Sequence, residues 1–364
     1  MTSLDATRLS PGDIPAAVAH VLEDYLASRR PEVDAIGAPA TEAVAHLESF
    51  VLGGGKRIRP LCGWLGFVGG GGLSGPEDPN AVLRAVSSLE FIQACALIHD
   101  DILDASDTRR GQPTVHRAVE QSHRDRGHEG DAAHFGESVA ILVGDLALAW
   151  ADDLFFDSGV SPAARDRAYA PWRAMRTEVI GGQLLDISLE ASGSEDISLT
   201  RSVSRYKTAA YTIERPLHIG ASLAGASPDI IEAFRGFGEN IGIAFQLRDD
   251  ILGVFGDPAV TGKPARDDLR EGKRTELLAI ALARLDASDP AAAKHLRAGL
   301  RSEDPRTLAD LANIIADSGA PDIIEDRIRQ LTATGLAFLK DAPVDDSVTA
   351  LLKDLARRAT ERRF

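Results

Sequence analysis

The chain has 364 residues, 44% of them hydrophobic and 26% charged, and carries a formal net charge of −15. That length can bury a large core, while the acidic balance excludes a nucleic-acid binder with a basic face and gives no attraction to anionic lipid. Cys62 and Cys95 both lie in apolar runs and read as small buried hydrophobes, as expected in a reducing cytoplasm, with no disulfide or zinc pair implied.

Helical periodicity dominates and strand alternation is nearly absent, which predicts an all-α fold. A first helix is expected from Asp13 to about Ser28 and a second from Pro31 to Leu52, with a break near residues 37–39. Three glycines, Gly53 to Gly55, stop the second helix ahead of the basic cluster Lys56-Arg57-Ile58-Arg59-Pro60. A third helix, Arg57 to Phe67, ends in four glycines, and Asn80 reads as the cap of a central helix. Residues 121–136 are polar and rich in His and Gly. Their spacing fits no zinc site, and they read as a surface loop. Gly136 to Phe156 is a strongly apolar helix, although Asp145, Asp152 and Asp153 prevent it from reading as a membrane span. Ser161-Pro162 and Ser227-Pro228 each pair a capping residue with proline at the first helical position, opening two long helices. Thr275 to Phe364 reads as amphipathic scaffold, and the N-terminus has no signal-peptide pattern, so a soluble, cytoplasmic protein is expected.

The chemistry is concentrated in two places. In Ser88 to Arg110 an apolar helical run ends in Asp100, Asp101 and Asp104, followed by Arg109 and Arg110. Helical residues four apart share a face, with Cβ atoms about 5–6 Å apart, so Asp100 and Asp104 suit a hard divalent cation. A second apolar run meets Asp249 and Asp250. Two acidic clusters at helix ends leave a large uncompensated charge unless cations join them. Lys56, Arg57 and Arg59 follow the glycine turn, where backbone can approach a phosphate and Arg can grip it in two places.

Taken in order, GGGKRIRP at 53–60, HDDILDASDTRRGQPTVH at 99–116, GGQLLDI at 181–187, YKTAAYT at 206–212, FQLRDDILGVFGD at 245–257 and GKPARDDLREGKRTELL at 262–278 resemble the ordered motifs of trans-polyprenyl diphosphate synthases, most closely actinobacterial ones. The resemblance spans about residues 50–280. It implies a single domain over 1–364, a helical bundle around a deep central cavity, with 121–136 inserted and 281–364 as scaffold. It implies a homodimer that condenses isopentenyl diphosphate with dimethylallyl, geranyl or farnesyl diphosphate, and no nucleic-acid partner. Under it, Asp100, Asp104 and Asp249 hold Mg²⁺, three ions with substrate bound, and Asp101, Asp250 and Lys207 join the catalytic set. Lys56, Arg59 and Arg110, with Gln93 where many members have His or Gln, seat isopentenyl diphosphate; Arg109, Lys207, Thr208, Gln246 and Lys263 hold the allylic diphosphate.

One departure is that the third aspartate common in the second motif is replaced by Gly253. Asp257 lies two turns from Asp249, about 11 Å along a helix axis, so fewer protein ligands are expected there. Product length should depend on Phe91, Ile92, Cys95 and Ala96. The two positions that in the family stop growth at farnesyl are small, Cys95 and Ala96, and Phe91 one turn below is the expected floor for a geranylgeranyl product; the alternative is that Phe91 points into the core and leaves room for longer chains. Farnesyl or longer products, a class I terpene cyclase and a non-catalytic modulating subunit are the alternatives. A cyclase has no use for the Lys56/Arg59 seat, and such a subunit can lose acidic ligands that this chain keeps.

Overall fold

The computed structural model describes residues 5–109, 111–257, 265–340 and 342–361. The chain divides into two compact units, Met1–Trp172 with Pro216–Ile231, and Arg173–Arg215 with Glu232–Phe364. Among the described residues the only β-structure is a two-residue hairpin, Thr108–Arg109 (β1) paired with Gln112–Pro113 (β2).

The first unit opens with α1 (Ile14–Ile36) and α2 (Ala38–Leu52), separated at Gly37, whose φ of 127° only glycine adopts easily. The helix expected to begin at Pro31 instead continues through it. A proline inside a helix costs about 3 kcal/mol, which the burial of Ile14, Val18, Leu22, Leu26 and Val33 along α1 offsets. After α3 (Ile58–Gly69) come α4 (Pro79–Ser87) and α5 (Leu89–Leu103). The cap of α4 is Asp78, which accepts the Asn80 backbone N–H. The expected cap Asn80 turns its side chain outward to accept the Ala6 N–H at 3.1 Å. The central helix is therefore split at Ser88, where the Ser87 and Ser88 hydroxyls donate back to the Leu83 and Ala85 carbonyls. Such back-bonding bends helices. By length and composition Pro79–Leu103 is apolar enough to cross a membrane, but 78% of its most apolar 18-residue window is buried inside the protein.

Residues 121–136 are not a loop. They comprise the end of α6 (Val115–Asp125), a short turn, and the start of α7 (Ala132–Phe156), capped by Asp131. Polar composition hid these helices because α6 buries only one face, including His116, Val119 and His123. Both α5 and α6 pack along α7. Beyond it, α8 (Pro162–Ser192) begins in the first unit, where Trp172 stacks on Phe155 at 4.4 Å and donates to Asp152.

The second unit contains α9 (Ile197–Val203), a π-helix (Ser204–Glu214), most of α11 (Pro228–Phe255), and the C-terminal helices α12 (Asp267–Glu271), α13 (Glu276–Ser288), α14 (Pro290–Gly299), α15 (Pro305–Asp317), α16 (Ala320–Lys340) and α17 (Asp346–Thr360); α10 (Arg215–Ala224) leads back into the first. Leu247, Ile251 and Val254 of α11 share one buried cluster with Leu277, Leu282, Leu311, Ile315 and Ile324. Each fully buried Leu or Ile contributes roughly 1.5–3 kcal/mol. The C-terminal helices thus form the bed on which the second acidic motif lies. Arg248 adds a tie, pairing with Glu325 and donating from Nε to the Thr360 carbonyl at 2.9 Å.

Candidate active site

In the first unit the acidic motif is built by the end of α5. Asp104 is its C-cap, and the next residue, Ala105, takes a left-handed φ of 51°. The Ser106 N–H reaches the Asp101 carbonyl at 2.9 Å and the Ala105 N–H the Ile102 carbonyl at 3.2 Å, the Schellman pattern usually given to glycine. Three carboxylates therefore sit in the last turn and cap of a helix, where the macrodipole is negative and opposes them. Positive charge is needed there. Arg109 supplies part of it, donating from Nε to Asp101 Oδ1 at 2.7 Å while its Nη2 lies 3.4 Å from Asp100 Oδ2.

The three aspartates differ in environment. Asp101 is only 1% exposed, and burial raises its pKa against the pull of Arg109. Asp100 and Asp104 are half-buried and reach solvent. In the basic cluster Lys56 is exposed and Arg59 buried, whereas Arg57 turns inward to Glu90. Gln93, Cys95 and Ala96 are half-buried along α5. Phe91 is wholly buried, and its ring meets Tyr25 at 5.5 Å and Trp150 at 6.3 Å; Ile92 is 2% exposed. Burial raises the Tyr25 hydroxyl far above its usual range, and no hydrogen-bond partner faces it.

In the second unit the π-helix carries Lys207 and Thr208. It lies against backbone on two sides: a Cβ at Gly182 of α8 would collide with the Lys207 main chain, and one at Gly242 of α11 would lie 2.6 Å from Ala209 Cα. Lys207 Nζ meets Asp186 Oδ2 at 2.5 Å. The Thr208 hydroxyl donates to Gln246 Oε1 at 2.6 Å, and Gln246 Nε2 donates to Asp250 Oδ1 at 2.7 Å. Asp250 is 3% exposed. Its pKa is raised well above the carboxylate range by burial and then by Asp268, with Gln246 opposing. Asp249 remains half-buried.

Asp268 escaped the sequence reading. Its carboxylate fills the space beside Gly253 where a side chain would begin, so a third acid stands near the second motif although the usual third aspartate is absent. The signal was present in the run GKPARDDLREGK. Asp186, in GGQLLDI, was likewise passed over. Arg110 and Lys263 lie outside the described residues.

The donor set fits Mg²⁺ held together with a substrate. It is made of carboxylate oxygens, and among the described residues no three His, Cys, Asp or Glu side chains form a ready cage. Mg²⁺ usually takes one or two protein carboxylates and completes its shell with water and phosphate oxygens. Asp100 and Asp104 in the first unit, and Asp249 in the second, are each only half-buried carboxylates. An open groove in the second unit, lined by Ile251, Phe255, Ala316, Pro321, Asp322 and Glu325, contains none of the residues assigned above.

A sequence model of the family described as Polyprenyl synthetase matches residues 41–317. A crystal structure of geranylgeranyl pyrophosphate synthase from Corynebacterium glutamicum, complexed with isoprenyl diphosphate and magnesium, is 57% identical, with a TM-score of 0.96 over 98% of this chain and 100% of that one. Geranylfarnesyl diphosphate synthase of Aeropyrum pernix is 35% identical over 84% of this chain and 89% of its own length. (2E,6E)-farnesyl diphosphate synthase of Mycobacterium bovis is 30% identical over 85% and 80%.

Proposed function

Because this chain belongs to the polyprenyl synthetase family and is a prenyltransferase, we propose that it condenses isopentenyl diphosphate with short allylic diphosphates, depends on Mg²⁺, and yields mainly geranylgeranyl diphosphate. The observation that carries this reading is the 57% identity, across the full length, to a Corynebacterium enzyme named for that product.

The chemistry follows from charge. Ionising an allylic diphosphate needs stabilisation of the departing anion, and bound Mg²⁺ supplies it as a Lewis acid. Asp100, Asp104 and Asp249 would hold the ions. Arg109 in the first unit and Lys207 in the second would each offer a fixed cation to a diphosphate; in the structure Lys207 rests on Asp186. Thr208 and Gln246 orient against one another, and Asp250 fixes Gln246 from below. We assign Asp101 and Asp250, both almost wholly buried, to positioning. Lys56, Arg59, Gln93, Arg110 and Lys263 complete the two diphosphate seats. The double bond of isopentenyl diphosphate attacks the allylic cation, and the released diphosphate takes the proton. Apolar walls keep water from quenching the cation.

Product length is set along α5. Cys95 and Ala96, which precede Asp100 on that helix, are small, and the interlocked rings of Phe91, Tyr25 and Trp150 would close the path further down. The exposed Ile141 and Leu142 of α7 support a homodimer. The free thiols of Cys62 and Cys95 support a cytoplasmic setting. Chain-length analysis of products from purified protein with Mg²⁺ and isopentenyl diphosphate tests the assignment; a Phe91→Ala variant giving the wild-type product would remove the floor.

A further inference from the structure

Arg57 stands between the two residues assigned to the isopentenyl diphosphate seat, yet it behaves unlike either. Its backbone is left-handed, with φ 48° and ψ 41°, a conformation unfavourable for a non-glycine residue and kept only where surroundings enforce it. Its side chain is 5% exposed, as is that of its partner Glu90. One guanidinium nitrogen pairs with Glu90 Oε2 on α5, and the other donates to the Val51 carbonyl at 2.6 Å. Val51 lies in the last turn of α2, where carbonyls lack helical partners. Arg57 is also the residue from which α3 starts, its carbonyl accepting the Leu61 N–H at 3.0 Å. One side chain thus fastens the ends of α2 and α3 to the helix that carries the first acidic motif. Between them run Gly53, Gly54 and Gly55, the last two with φ of 91° and 129°, a segment with little stiffness of its own.

We propose that Arg57 and Glu90 are a positioning pair for the isopentenyl diphosphate seat: their buried ion pair fixes the left-handed turn that sends Lys56 outward and sets Arg59 in the first turn of α3, without either touching substrate. This rests on the function proposed above. Glu90 Oε1 has no hydrogen-bond partner, so the pair is held by a single carboxylate oxygen and is sensitive to loss of charge.

The test is a split between the two substrates. In full-length Glu90→Gln, KM for isopentenyl diphosphate is expected to rise about tenfold or more, as small misplacements of binding groups do, while KM for the allylic diphosphate stays within about twofold of wild type. Calorimetric titration with isopentenyl diphosphate alone should weaken in parallel, and needs no turnover. Because a stranded Arg57 charge could unfold the chain, the double variant R57M/E90M, which removes both charges and keeps the packing, is measured alongside; it should fold and keep the high KM. Equal changes for both substrates, or unaltered binding in the folded double variant, would overturn the proposal. A wild-type protein that binds isopentenyl diphosphate but never elongates would instead overturn the proposed function.

Discussion

The guanidinium of Arg109 lies on the carboxylate of Asp101, with Nε 2.7 Å from Oδ1, so the middle aspartate of the first acidic motif faces a protein cation and is closed to solvent. Its neighbours Asp100 and Asp104 are less deeply buried, the Asp100 side chain being 15% exposed. Removing the cation strands a buried charge, a change that costs roughly 3–5 kcal/mol for fully buried pairs. Arg109 is 20% exposed, so a smaller loss is expected. Arg109→Gln should lower Tm, and Arg109→Gln with Asp101→Asn should restore most of it, as read by thermal melts.

Replacing the two outward-facing acids has a different signature. Asp100→Ala and Asp249→Ala leave the folded core intact but remove proposed cation ligands. A fall in kcat of about 100-fold or more is expected, comparable with losing one strong electrostatic contact to a transition state. Steady-state kinetics across a Mg²⁺ titration check it, and the variants should need more Mg²⁺ for half-maximal rate.

Gly253 cannot regain a side chain freely, because the Asp268 carboxylate occupies that space. Gly253→Ala is expected to cost about 1–3 kcal/mol through overpacking. Pairing it with Asp268→Gly should recover stability. Denaturant melts of the three variants decide this, and equal stability of Gly253→Ala and wild type would show that Asp268 moves aside.

His116, 3% exposed, titrates below its ordinary value because burial and then Arg117 disfavour the imidazolium. The unfolded chain therefore binds the proton more readily, and stability falls as pH drops through and below 6.5, the unperturbed value. His46 shifts the same way through burial. Tm should decline between about pH 7.5 and 5.5, and His116→Gln should flatten part of that slope. Melts at constant ionic strength measure it.

Much of the site was legible because its signals are local. An apolar run ending in aspartates marks the end of α5, and Gln246 three residues before Asp249 announces a shared face. What could not be read depended on long-range partners. Lys56, Arg57 and Arg59 look alike in sequence, and only the buried pairing with Glu90, 33 residues away, sets Arg57 apart. The π-helix around Lys207 hides because its apolar spacing differs little from an α-helix, while Gly182 and Gly242, which admit it, sit on other helices. Asp78-Pro79 is a stronger start signal than Asn80, and it is the one that opens α4. The helices at 121–136 were missed because a mostly solvated turn of helix offers few apolar residues to count.

The central claim is tested most directly by product analysis. Purified protein is incubated with Mg²⁺, labelled isopentenyl diphosphate and, separately, dimethylallyl, geranyl and farnesyl diphosphates, and chain lengths are resolved by chromatography. Geranylgeranyl diphosphate as the main product is predicted. No elongation from any primer would contradict the account and favour a modulating subunit.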